Sequence, residues 1–121
     1  VSRPRAQSLV GAALAAALLV AMPAGAAESL RFWNLTTATI TELRLAPAGT
    51  EHWGPNQCDN DPDKSVDADE RLRLTGLTPG RYDVQLADKT GRRCTVRDVE
   101  VKGDGHYAFS IAETDLTDCR K

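Results

Sequence analysis

Between Asp59 and Glu70 the chain crowds six carboxylates into one stretch: Asp59, Asp61, Asp63, Asp67, Asp69 and Glu70. Counting Asp59 as position 1, oxygen donors fall at 1, 3, 5, 7, 9 and 12 through Asp59, Asp61, Asp63, the Ser65 carbonyl, Asp67 and Glu70. That is the register of an EF-hand calcium loop, since calcium takes about six to eight oxygens and alternate residues of a short chain can point inward to wrap it. The departures are equally specific. Lys64 stands where Gly makes the sharp turn, Pro62 stiffens the approach, and Arg71 follows where an apolar helical residue belongs. Neither flank reads as helix, because Gly54-Pro55 precedes the loop and a strand pattern follows it. Two readings stand: a solvated acidic turn, or an isolated calcium loop between strands.

The remaining reactive side chains carry less. Cys58, Cys94 and Cys119 are odd in number, so one thiol stays free, pairs with another chain or is buried as a small hydrophobe. No CxxC spacing supports a redox or zinc motif. His52 and His106 are isolated, and HExxH, GxSxG and P-loop patterns are absent from the sequence. A Cys58 nucleophile served by His52 would lack an orienting third group. Trp53, ahead of Gly54-Pro55, reads as an anchor that pins a long loop rather than as a stacking platform for a ligand. Catalytic residues are therefore not assigned, and a non-enzymatic domain is expected.

These residues sit in a chain patterned for export. Arg3 and Arg5 precede Leu9–Met22, an uncharged run of 14 residues, shorter than the roughly 20 that a spanning helix needs. Pro23 breaks the run and Ala24-Gly25-Ala26-Ala27 offers a cleavage site, so residues 1–27 read as a secretory signal peptide and 28–121 as a single domain. No stable membrane anchor is expected after processing, and the location is periplasmic or secreted. Removing Arg3 and Arg5 leaves 13 basic against 17 acidic residues, a formal charge of −4. An acidic domain without a basic, aromatic-rich patch argues against nucleic acid and leaves an unknown protein or envelope component as the expected partner.

The elements that position those side chains read as strands. Leu30–Trp33 and Ala38–Leu45 come first, the latter with a phase slip that predicts a bulge. Leu72 and Leu74 alternate with Arg71 and Arg73, and Tyr82, Val84 and Leu86 alternate with Arg81, Asp83 and Gln85. Cys94 and Val96, then Val99 and Val101, show a second slip at Arg97-Asp98; Tyr107, Phe109 and Ile111 close the series. Turns fall at Thr78-Pro79-Gly80, Asp88–Gly91 and Lys102–Gly105. The spacing predicts an all-β fold, a small antiparallel β-sandwich or open barrel of about six strands.

The stretch LRLTGLTPGRYDVQLAD from Leu72 to Asp88, followed by KTGRRCTVRDVEV, resembles the Pro-Gly-x-Tyr hairpin of transthyretin-like and carboxypeptidase-regulatory-like β-sandwich modules. The front half, from Phe32-Trp33-Asn34-Leu35-Thr36 to Trp53-Gly54-Pro55-Asn56, resembles small exported bacterial proteins with no assigned activity. The resemblance implies a secreted β-domain with a binding or structural role and transfers no catalytic residue. For the cysteines, pairing the Cys94 strand in a hairpin with the 107–111 strand favours a Cys94–Cys119 disulfide, with Cys58–Cys119 as the alternative. In that hairpin Cys94 lies opposite Glu113, and residues 114–118 must fold back for the bridge to close.

Overall fold

The computed structural model describes residues 30–121; the signal peptide assigned to residues 1–27 lies outside them. Seven strands form two packed sheets: β1 Arg31–Leu35, β2 Ile40–Pro47, β3 Arg71–Arg73, β4 Gly80–Asp88, β5 Arg93–Val101, β6 Phe109–Ala112 and β7 Cys119–Arg120. The first sheet has the order β3-β1-β6 and the second β2-β4-β5-β7. The expected all-β sandwich is observed. Among the described residues the only helical pieces are 3-10 turns at Gln57–Asn60 and Glu113–Asp115, and none is long or apolar enough to cross a membrane.

The strands form where period-two alternation lets one face leave water. Phe32, Leu72, Phe109 and Ile111 from the first sheet meet Leu43, Leu45, Val84, Leu86 and Val101 from the second. Phe32 and Phe109 pack with ring centroids 5.0 Å apart. Each such burial stabilises by about 1.5–3 kcal/mol, and these contacts hold the two sheets face to face. Both expected phase slips are real irregularities. Pairing shifts between Ile40 and Glu42 against β4, and between Tyr82 and Val84 against β5. At the second, Asp98 adopts a left-handed φ of 59° and donates its backbone N–H to Asp83 Oδ1.

The hairpin expected between the Cys94 strand and residues 107–111 does not form. Lys102 donates its N–H to the Ala108 carbonyl, Ala108 donates to Arg31, and β6 then runs parallel to β1 in the other sheet. Cys94 consequently lies opposite Cys119 rather than Glu113, because the 3-10 turn Glu113–Asp115 brings the tail back to β5 as β7. The Cys94–Cys119 disulfide is present and Cys58 is a buried free thiol, so the alternative Cys58–Cys119 pairing is not used.

The outer edge of β2 is closed by its own following loop. Asn56 Oδ1 accepts from the Leu43 N–H and Asn56 Nδ2 donates to the Thr41 carbonyl, while the Gly54 N–H reaches the Leu45 carbonyl at 2.9 Å. A side chain on Gly54 would put its Cβ 3.3 Å from that carbonyl, so the loop would have to draw back by a few tenths of an ångström to accept one. An edge capped in this way offers no strand to a neighbouring chain.

Arg92 links the sheets at the opposite end. It pairs with the buried Asp88 of its own sheet and with Glu113, whose carboxylate also accepts from the Thr37 N–H in the β1–β2 connection. The Arg92 hydrogen bond, then the Thr37 N–H, hold the Glu113 carboxyl down to about 2 from its ordinary 4.5. Burial alone would raise Asp88, but Thr90 and Arg92 more than offset it and keep that carboxyl low. A folded-state pKa below the unfolded one contributes stability present above the unfolded value and lost as pH falls through the folded one. The melting temperature should therefore fall as pH drops from about 4.5 to about 2. Glu113→Gln should flatten that slope in a pH series of thermal melts; an unchanged slope would remove Glu113 from the account.

Candidate functional site

The acidic loop is the first place to look, and its carboxylates are turned to other tasks. Asp61 Oδ2 accepts from the Asp63 N–H, Asp67 Oδ1 from the Thr39 hydroxyl, Glu70 Oε1 from the Asp67 N–H, and Asp69 Oδ1 from the Trp33 indole. Asp59 lies in the 3-10 turn Gln57–Asn60, exposed, and Ser65 precedes Val66, which is buried and exchanges both backbone hydrogen bonds with Ile40. Lys64, standing where a calcium loop has Gly, does take the left-handed turn, at φ 59°. Pinning Val66 into the sheet nevertheless draws out the middle of the loop. Among the described residues no three His, Cys, Asp or Glu side chains gather to hold an ion. Asp59, Asp61, Asp63, Ser65, Asp67 and Glu70 thus do not fit a calcium ion in this arrangement, which needs its oxygens to converge on one point.

Cys58 is equally committed to the fold. Its side chain is fully buried, its thiol points at the Ile40 carbonyl, and burial, with Asp59, Asp61 and Glu42 nearby, pushes its pKa up to about 12. A thiol that stays protonated at neutral pH is not a nucleophile. Trp33 on the outer face of the first sheet is also occupied. Arg71 lies over its ring at 4.1 Å, Tyr107 packs edge-on at 5.2 Å, and its indole N–H reaches Asp69.

The outer face of the second sheet is different. Side chains opposite one another across strands point to the same face. There Gln85 of β4 lies opposite Thr95 of β5, and the Thr95 N–H bonds the Asp118 carbonyl just before β7. Arg120 lies opposite Arg93 one step along. The loop after β2 folds back above this row, bringing Glu51, at φ 58°, and the half-buried Trp53 to face β7. The result is a concavity of about 350 Å³ with Gln85 and Thr95 at its base, Glu51 and Trp53 on one side, and Arg97, Asp118 and Arg120 around the rest.

Comparison with protein families, with characterised proteins and with solved structures finds no match for this chain. Its site is legible only through chemistry. Charged neighbours on the same sheet face are spoken for: Glu42 pairs with Arg44 and Arg93, and Arg97 with the buried Asp83. The N–H groups of Gly49 and then Asp98 hold the Asp83 carboxyl below its ordinary range, with Arg97 adding to them. Inside the concavity the pattern reverses. Among the described residues, the side chains of Glu51, Gln85, Thr95, Asp118 and Arg120 bond to no other residue, and the Trp53 indole N–H has no acceptor (side-chain contacts such as Arg97 to Asp83 mark its boundary).

Of these residues the sequence singles out Trp53 alone, as a loop anchor; the structure places it at a cavity wall. Glu51, Gln85, Thr95, Arg97, Asp118 and Arg120 carry no motif. The usable signal is indirect: Gly54 beside Trp53 marks a loop pressed against a strand, and Cys119 marks a tail tied to β5.

Proposed function

We propose that this chain is an exported, non-enzymatic binding domain that holds a ligand in the concavity on the outer face of its second sheet. The observation that carries the reading is the contrast in hydrogen bonding. Among the described residues, paired side chains surround a patch whose five polar side chains have no protein partner. Ligand sites orient their occupants with convergent polar groups on a rigid scaffold, and about 350 Å³ lies within their usual range; this lining is more polar than most pockets, which suits a polar ligand. The disulfide beside the site supports an oxidising compartment, and with the Arg3 to Ala27 pattern it favours a periplasmic or secreted protein. Glu51 and Asp118 are both exposed, whereas a carboxylate pair that divides acid and base roles relies on unlike environments. Binding is the role that chemistry favours.

The test is a titration of the isotopically labelled exported protein with the small-molecule fraction of the cell envelope. Signals from the Trp53 indole, the Gln85 side-chain amide and the Thr95 and Arg120 backbone should move together, with the Trp33 indole unmoved. Shifts confined to the Trp33 face would refute the assignment of the site.

A further inference from the structure

We infer that the ligand of this concavity is a neutral saccharide, an inference that rests on the binding role proposed above. The charge balance of the lining comes first. Counted with their ion-pair partners, the carboxylates of this face, Glu42, Glu51, Asp83 and Asp118, match the guanidiniums of Arg44, Arg93, Arg97 and Arg120 four to four. A site with matched charges gains little from a net anion or cation, each of which meets a like charge as near as an opposite one.

What the lining offers instead is donors and acceptors side by side. Arg120 and the Trp53 indole only donate, the Glu51 and Asp118 carboxylates only accept, and Gln85 and Thr95 at the base do both. A hydroxyl group donates one hydrogen bond and accepts others. A row of vicinal hydroxyls can therefore give protons to the carboxylates while taking them from the guanidinium and indole, leaving neither side unpaired. Hydrogen bonds to charged groups are the stronger kind, so a neutral polyol can still be held firmly. Trp53 completes the set at the wall with its indole N–H, the polar tip of a half-buried ring. A lipid or acyl chain would strand the five free polar side chains without partners, which costs binding energy for each.

The scaffold suits the task. Gln85 and Thr95 stand on central strands, β7 is tied to β5 by the disulfide, and the Trp53 loop is fixed by Gly54 and Asn56 along β2. Groups held this rigidly lose little further freedom when a ligand arrives. The concavity is partly open to solvent, as a site for an end or an internal stretch of a longer glycan would be.

The test uses the exported protein with glucose-, galactose- and N-acetylglucosamine-based tetrasaccharides, and with zwitterionic glycine and anionic inorganic phosphate as comparators. Binding is followed by calorimetry and by the indole and side-chain amide signals. At least one tetrasaccharide should bind saturably and move the Trp53 indole and the Gln85 amide. Trp53→Ala and Arg120→Ala should each weaken it by about tenfold or more while melting within a few degrees of the wild type. Trp53→Phe should retain part of the affinity, which separates loss of the ring from loss of the loop. If glycine or phosphate moves these signals and no saccharide does, the saccharide inference is overturned while the binding role stands. If no probe moves them, the saccharide inference fails, and failure of the envelope fraction as well removes the binding role.

Discussion

Replacing Asn34 by Ala should lower the unfolding free energy by about 3 kcal/mol, measured by urea denaturation. Asn34 has no exposure to solvent, and every polar atom of its side chain is used. Nδ2 donates to the carbonyls of Ala38 and Val66, and Oδ1 accepts from both the N–H and the hydroxyl of Thr36. One amide thereby shapes the turn from β1 into β2 and ties it to the middle of the acidic loop. Truncation would leave the buried Thr36 N–H without an acceptor and open a small void, and both costs are charged at once. Asn34→Asp keeps the shape but turns an oxygen toward two carbonyls, so it should cost as much. Leu35→Ala, next along the same strand but exposed, should change stability by less than about 1 kcal/mol. A loss at Asn34 no larger than at Leu35 would mean that water replaces the amide.

How far such roles can be read in advance depends on the physics behind each residue. The alternation of Tyr82, Val84 and Leu86 declares β4, because period two is the only way a strand can present one dry face. The slip at Arg97-Asp98 declares a bulge for the same reason, and the bulge is there. What alternation does not encode is the sheet a strand joins. Phe109 and Ile111 would suit a hairpin with β5 as well as the parallel pairing with β1 that they adopt. Asn34 carries no signal of its role in the sequence, since its value lies in four hydrogen bonds that the fold assembles. The acidic loop shows the opposite failure: its spacing matches a calcium loop, but spacing cannot reveal that Val66 is pulled into a bridge with Ile40.

The concavity is hidden for a further reason. Arg120 reaches it on β7 and Asp118 from the position just before, and β7, only Cys119–Arg120, is too short to carry any period. Only Cys119 hints that the tail is held, and the hint becomes geometry through the 3-10 turn at Glu113–Asp115. Glu51 and Trp53 reach it because Gly54 and Asn56 lay the loop along β2. Local sequence describes each wall as ordinary surface; long-range pairing makes them face one another.

The disulfide should therefore matter to stability and to the site together. It joins residues 25 apart, enclosing most of β5 and all of β6, and constraining a loop of that length in the unfolded chain contributes on the order of 3 kcal/mol. Cys94→Ala with Cys119→Ser should lower the urea midpoint accordingly, Ala being chosen because the Cys94 side chain is buried and a hydroxyl there would lack a partner. The effect on β7 should exceed the effect on the core. With the bridge gone, that strand keeps only two paired positions and the Thr95 to Asp118 hydrogen bond, too few to hold two residues against fraying. Hydrogen exchange should rise first at Thr95 and Arg120 while Val84 and Leu86 stay protected. Reduction of the wild type should reproduce the same pattern, and buried Cys58 should remain unlabelled by a thiol reagent until the protein unfolds. Unchanged exchange at Thr95 after confirmed reduction would show that β7 is held by its own contacts, so that the wall carrying Asp118 and Arg120 does not depend on the bridge.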